Sequence, residues 1–201
     1  MSKLTNLEIL KLFTAPKGTN ERFESPWIDG SYAYGCNGYS MVRIPADGLD
    51  LPVRHKEVPL TILNIFEDLP AHNAVYEPVL IPQELTRCPK CWGSGSYTVT
   101  DCDNCETTGS FERDGHDYHC QSCDGDGHTM GGDKKMSCTT CSGYGVKFSL
   151  TDLCGSEFNV QYLSRVQKLP NVEITINPDD NKASFFRFDG GIGFICSRRK
   201  N

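Results

Sequence analysis

The sequence predicts an α+β protein: an antiparallel sheet domain with two main helices, interrupted by a metal-stapled insertion. Three observations carry this. Four Cys-x-x-Cys pairs are packed between Cys88 and Cys141, with few large apolar residues among them. The flanks of that strip, 87 and 56 residues long, are each short for a domain, whereas their 143 residues together are of ordinary single-domain size. The second flank reads β-α-β-β-β, and the first reads as a helix followed by paired strands. One domain interrupted at an exposed loop satisfies all three. Residues 1–87 and 146–201 then form a discontinuous base, and 88–145 the insertion.

In the first flank, Leu4, Leu7, Leu10 and Phe13 recur at helical spacing, and Thr5-x-x-Glu8 is a capping box. A helix is expected from about 6 to 14, ended by Pro16 and Gly18. Trp27-Ile28 begins a strand, Asp29-Gly30 turns, and Tyr32 to Cys36 continues. Asn37-Gly38 is a two-residue hairpin signal, so Tyr39 to Ile44 returns until Pro45. Residues 46–57 read as loop. Pro59 opens a short helix carrying Leu60, Leu63, Ile65, Phe66 and Leu69. Val75 to Ile81 is extended and leads into the cysteine strip.

The strip repeats one pattern. Cys88-Pro-Lys-Cys91-Trp-Gly93-Ser-Gly95, Cys120-Gln-Ser-Cys123-Asp-Gly125-Asp-Gly127 and Cys138-Thr-Thr-Cys141-Ser-Gly143-Tyr-Gly145 all fit CxxCxGxG. The second copy, Cys102-Asp-Asn-Cys105-Glu-Thr107-Thr-Gly109, has Thr107 in place of the first glycine. Two residues between cysteines let a tight turn aim both sulphurs at a point about 2.3 Å from each, half of a tetrahedral zinc shell. Four pairs therefore close two sites. The glycines let the backbone curl under the sulphurs through positive φ and aim amides at them. Thr107, being β-branched, disfavours positive φ, so the second knuckle is expected to use a different turn or to be the loosest. Structural disulfides and a redox-active dithiol are the competing readings. A repeated glycine-bearing pair with no signal-type segment before it fits a zinc knuckle better than a disulfide, and closed four-coordinate zinc thiolates are unreactive, which disfavours the dithiol. His116 and His119 precede Cys120, but eight cysteines already complete two shells.

With these motifs in view, residues 88–145 resemble the cysteine-rich domain of DnaJ-type co-chaperones. The likeness covers 58 of 201 residues. It implies an extended, V-shaped β-hairpin in which repeats one and four share one zinc and repeats two and three the other. Cys88, Cys91, Cys138 and Cys141 would then hold the first ion, and Cys102, Cys105, Cys120 and Cys123 the second. The chain has neither the His-Pro-Asp tripeptide of the helical J-domain nor a glycine/phenylalanine-rich linker, so the likeness is to one module only.

After the strip, Val146 to Leu150 is expected to be a strand pairing near 75–81 and joining the ends of the insertion. Phe158, Tyr162, Leu163, Val166 and Leu169 give a helix from about 159 to 169, ended by Pro170. Val172 to Ile176 alternates as a strand, Pro178 to Asn181 turns, Ala183 to Phe188 returns, Gly190-Gly191 turns, and Ile192 to Cys196 is the last strand. The two halves make a pseudo-repeat that resembles one domain of a bacterial DNA sliding clamp. Glu157-Phe-Asn-Val-Gln-Tyr-Leu163, Val172-Glu-Ile-Thr-Ile176, Ile192-Gly-Phe-Ile-Cys196 and Ser31 to Ile44 carry that likeness. It implies a clamp-like sheet domain. A processivity ring, however, needs several such domains and a positive inner wall.

Composition narrows the function. Formal charge is −6; eight thiolates and two Zn²⁺ bring it to about −10, which disfavours wrapping nucleic acid. Ser197-Arg198-Arg199-Lys200 is the densest basic patch and reads as a solvated tail. No run of 18 apolar residues suggests a membrane span, and no signal-type segment follows Met1, so a reducing cytoplasm is the expected compartment. Cys36, Cys154 and Cys196 are expected as buried free thiols. Scattered turn carboxylates and five dispersed histidines give no nucleophile–base constellation, so no enzyme is expected and no catalytic residue is assigned. The favoured expectation is a non-enzymatic zinc protein with two structural ions. Its module would present Trp92, Tyr97, Phe111 and Tyr118 to a protein partner or an unfolded polypeptide, a chaperone-like role implied by the DnaJ resemblance. The alternatives are a DNA replication or repair accessory factor and a Cys-x-x-Cys thiol–disulfide oxidoreductase.

Overall fold

A computed structural model describes residues 4–17, 19–54, 58–70, 74–80, 86–179 and 182–198. Expectations placed on Gly18, Ile81, Asp180-Asn181 and Arg199-Lys200 lie outside them. The chain falls into two compact units, 1–86 with 146–201, and 87–145.

The larger unit is mixed α and antiparallel β. Its first helix, α1 (Asn6–Phe13), starts on the capping box: the Thr5 amide donates to Glu8 at 2.8 Å and the Glu8 amide donates back to the Thr5 hydroxyl at 3.3 Å. There follow β1 (Trp27–Asp29), β2 (Tyr32–Cys36), β3 (Ser40–Pro45), the single-turn α2 (Leu60–Asn64) running into a 3₁₀ turn (Ile65–Asp68), and β4 (Glu77–Pro78). In the smaller unit lie β5 (Ser96–Asp101), β6 (Ser110–Arg113), β7 (His116–His119), β8 (His128–Met130) and β9 (Lys134–Ser137). The larger unit resumes with β10 (Leu150–Leu153), β11 (Ser156–Asn159), α3 (Val160–Val166), β12 (Glu173–Thr175), β13 (Ala183–Phe188) and β14 (Gly191–Cys196).

Seven strands form one antiparallel sheet in the order β1-β2-β3-β14-β13-β12-β4. The β3–β14 pair is a seam. On one side stand β1 to β3 after α1; on the other, in mirrored order, stand β12 to β14 after α3. Both faces of the sheet are covered, which is why its central strands are apolar at consecutive positions. Val42, Ile44, Phe186, Phe188 and Ile195 pack with Ile9, Leu10 and Phe13 of α1 and Leu163 and Val166 of α3. Alternate residues Tyr34, Met41, Phe185 and Phe194 pack on the other face with Trp27, Val58 and Phe66. Gly35 lets α1 lie directly on β2: a Cβ there would stand 2.2 Å from the Leu10 carbonyl oxygen.

Four local expectations are corrected. The β2–β3 loop is Gly38-Tyr39, one residue later than the Asn37-Gly38 signal. The Asn37 carboxamide oxygen accepts from the Tyr39 and Ser40 amides, at 2.9 and 2.8 Å, which fixes Asn37 at the strand end instead of in the loop. Among the described residues the segment after the strip does not pair with 75–80. β10 pairs with β11 through a two-residue turn, Cys154-Gly155, and β4 adds to the sheet edge beside β12, where Pro78 needs no amide hydrogen bond. The ends of the insertion meet instead where the Lys147 amide donates to the Thr86 carbonyl at 2.8 Å. Phe158 belongs to β11, so α3 is shorter than the apolar spacing suggested. Finally, Cys36 is buried, but Cys154 is exposed and Cys196 only partly buried, because Cys154 is the first residue of its turn, at φ 52°. Among the described residues no helix is long and apolar enough to cross a membrane.

Candidate metal centre

The smaller unit is two antiparallel assemblies separated by cysteine knuckles. β5 pairs with β9 over its first half and with β8 over its second, and β6 pairs with β7. Between them the four cysteine pairs gather two by two. Cys88, Cys91, Cys138 and Cys141 form one group, Cys102, Cys105, Cys120 and Cys123 the other; within each group the sulphurs lie within 4.8 Å of one another. All eight are at most 6% exposed.

The spacing fits an ion of one size. Tetrahedral bonds of about 2.3 Å put neighbouring sulphurs about 3.8 Å apart. Cys88–Cys138, Cys91–Cys141 and Cys105–Cys123 are separated by 3.7 Å and Cys102–Cys120 by 3.9 Å. A disulfide needs about 2.05 Å. Four thiols this close also conflict electrostatically. Burial pushes Cys91 up, but amides of Gly93 and Gly95 and neighbouring thiols outweigh it and bring it down to about 7; Cys141 beside it, buried and facing those sulphurs, is pushed up to about 12. The second group repeats this. Cys120 is drawn down to about 7, its burial outweighed by contacts with Cys123, Ser122 and Cys105, and burial drives Cys123 up to about 12. A divalent cation resolves the conflict by letting all four sulphurs ionise. Two ions fit, one per group, and zinc suits an all-sulphur tetrahedron. Bound there, zinc would serve as a structural crosslink.

The glycines explain how the repeats interlock. In every repeat the last glycine donates its amide to the second cysteine's sulphur: Gly95 to Cys91, Gly109 to Cys105 and Gly127 to Cys123 at 3.3 Å, and Gly145 to Cys141 at 3.2 Å. Its carbonyl accepts from the first cysteine of the partner repeat. Cys138 donates to Gly95, Cys88 to Gly145, Cys120 to Gly109 and Cys102 to Gly127, all at 2.9 Å. The partner's backbone also passes directly over it. A Cβ at Gly95, Gly109, Gly127 or Gly145 would meet a partner carbonyl oxygen at 2.1–2.4 Å. The first glycine is less constrained: a Cβ at Gly93 meets Arg87 side-chain carbons at 3.5 and 3.6 Å and the Gly145 carbonyl oxygen only at 3.8 Å, and one at Gly125 meets the His119 ring.

That difference accounts for Thr107 and corrects the expectation of a different turn. Thr107 takes φ 69°, beside 74° for Gly125 and 78° for Gly143. Its amide makes the same bond, to the Cys102 carbonyl at 3.3 Å, as Gly125 makes to Cys120 and Gly143 to Cys138 at 3.0 Å. The position requires a left-handed backbone but not an absent side chain. The residue before it is left-handed too in each repeat, at Trp92, Glu106, Asp124 and Ser142.

His116 and His119 belong to neither sulphur group; His119 faces the Asp124 carboxylate at 3.1 Å. Lys90, inside the first knuckle, reaches Asp126 in the third repeat at 3.1 Å and lies 5.2 Å from the centre of the Tyr97 ring. The hydrogen bond to Asp126 raises its pKa. Tyr97 packs against the first sulphur group, Trp92 is 82% exposed, and Phe111 and Tyr118 stack with ring centres 6.1 Å apart. Apart from the cysteines, Val99 is the one apolar side chain buried in this unit. The cross-repeat role of the last glycines has one signal in the sequence: the second copy keeps Gly109 while Thr107 stands where the other copies have their first glycine. In comparisons with known proteins, no family model, curated sequence or solved structure matches the chain.

Proposed function

We propose that the protein is a non-enzymatic binding protein whose zinc-stapled module presents a surface to a protein partner or an unfolded polypeptide. One observation carries the reading: both four-sulphur shells are closed and buried, so they offer a substrate no coordination position. What the module does expose is aromatic. Trp92, Phe111 and Tyr118 stand in solvent on a unit with almost no interior of its own, a composition typical of binding hot spots. Thiolate ligation also requires reduced cysteines, which supports a reducing compartment such as the cytoplasm. The test is partner capture by the zinc-loaded chain and by a variant in which a short Gly-Ser link replaces 87–145. Thr86 and Lys147 are already hydrogen-bonded, so the base can close. Loss of partners from the deleted variant supports the reading; full retention by the base alone overturns it.

A second reading is a DNA-associated accessory factor with a clamp-like base. It is favoured by the mirrored strand order about the β3–β14 seam, with one helix accompanying each half. Salt-sensitive DNA binding and a ring-sized solution mass would support it; a strict monomer without DNA affinity would remove it.

A further inference from the structure

We infer that the β6–β7 ribbon captures an extended segment of partner polypeptide in which basic and apolar residues alternate; this rests on the protein-binding reading above and names the partner's chemistry. Three features of the ribbon lead there.

The first is its edges. β6 and β7 pair only with each other, so among the described residues both outer edges are free. Such an edge is a template for a third strand.

The second is the difference between the faces. Directly paired residues share a face. Phe111 pairs with Tyr118, and these stacked rings, about half exposed, line one side of a cavity of about 660 Å³ together with Arg113, His119 and Gln121. On the opposite face Glu112 pairs with Asp117, two exposed carboxylates set against each other. Like charges directly opposite destabilise a ribbon that has no buried interior to compensate. A strand added at either edge sends alternate side chains to the two faces. Apolar residues would meet the rings, and basic residues would meet the carboxylates.

The third is charge. Residues 101–127 hold eight carboxylates against the single guanidinium of Arg113, a net of −7 before the second zinc shell is counted. Ion pairs remove only part of it: Asp101 contacts Lys134 at 2.8 Å, Asp126 contacts Lys90 at 3.1 Å, and Arg113 is itself 3.8 Å from Asp114. This end of the module repels nucleic acid and attracts cationic chains.

The test uses the full zinc-loaded chain and fluorescence anisotropy with three labelled ten-residue peptides. One alternates lysine and valine; one has the same composition in two blocks; one alternates glutamate and valine. The alternating lysine peptide should bind at least tenfold more tightly than the blocked one, and the glutamate peptide should not bind. The double variant Glu112→Lys/Asp117→Lys, which brings residues 101–127 from a net −7 to −3, should cut the preference for the alternating lysine peptide by at least tenfold. Phe111→Ser/Tyr118→Ser should weaken the alternating lysine peptide by about tenfold, with two zinc ions retained as the check that each variant is folded. Equal binding of alternating and blocked peptides, or a charge reversal without effect, overturns the inference. If that happens while the wild-type chain still loses its partners on deletion of 87–145, the ribbon assignment alone is wrong; if the deletion also changes nothing, the protein-binding reading falls with it.

Discussion

Replacing Gly109 by alanine should weaken zinc binding at the second site far more than replacing Gly125, although both glycines belong to the same knuckle pair. A methyl at Gly109 would stand 2.1 Å from the Gly125 carbonyl oxygen, with φ at +77°. Relief to about 3 Å requires the two repeats to part by about 1 Å. The left-handed backbone costs an alanine about 1–2 kcal/mol. Parting also loosens the 2.9 Å bond from Cys120 to Gly109 and the 3.3 Å bond from the Gly109 amide to the Cys105 sulphur. At about 1 kcal/mol each, the sum is about 3–4 kcal/mol, or a few hundredfold in affinity. A methyl at Gly125 meets the His119 ring at 2.3 Å instead, and that exposed side chain swings aside. Only the backbone cost remains, about tenfold. Competition against a chromogenic chelator, with metal counted per chain, reads both. Equal losses in the two variants, or wild-type affinity in Gly109→Ala, would refute the interlock.

Three other outcomes follow from the same geometry. Thr107→Gly should tighten the second site by about 1 kcal/mol, five- to tenfold in the same competition, because a β-branched residue at φ 69° is strained. Zinc affinity should fall with acid, and more steeply below pH 7. Cys123 and Cys141, pushed up to about 12, hold protons that zinc must displace throughout the neutral range, and Cys91 and Cys120, brought down to about 7, add theirs below it. Ligated thiolates have depressed pKa values, so the stability they confer is present at high pH and lost as pH drops. The expected loss per unit at the second site is at least tenfold from pH 8 to 7 and at least a hundredfold below; at the first site it is a further tenfold, because burial pushes Cys138 up as well, all measured by chelator competition across pH. Alkylation mapped by mass should mark exposed Cys154 first and leave Cys36, buried and pushed up to about 12, unmodified; the eight clustered cysteines should react only after chelation.

Much of this was readable in the sequence because the signals are local. The Thr5/Glu8 capping box, the β13–β14 hairpin and the cysteine knuckles each depend on spacings of a few residues; which knuckles share a site, across 50 and 18 residues, follows from the resemblance to the DnaJ-type module. What was misread depends on partners far away in the chain. Strand alternation cannot say that β4 joins β12 at a sheet edge, or that among the described residues Val146 to Ser149 goes no further than a single bridge at Val146. The Cys154-Gly155 turn carries little propensity signal because cysteine is an unusual first residue there; its left-handed φ of 52° is accommodated by the Asp152 carboxylate, which accepts from the Gly155 amide at 2.9 Å. At Thr107 a propensity rule gave way to metal-site geometry, because the knuckle holds its backbone in place from both ends.

The most direct test of the whole account is an amide-resolved NMR spectrum of the isotope-labelled chain, followed while zinc is withdrawn by a chelator. Two zinc ions per chain should be present at the start. Their removal should collapse the dispersed signals of 87–145, where Val99 is the sole buried apolar side chain besides the cysteines, while the signals of the seven-stranded base stay in place. Dispersed signals from 87–145 in fully metal-free protein would contradict it.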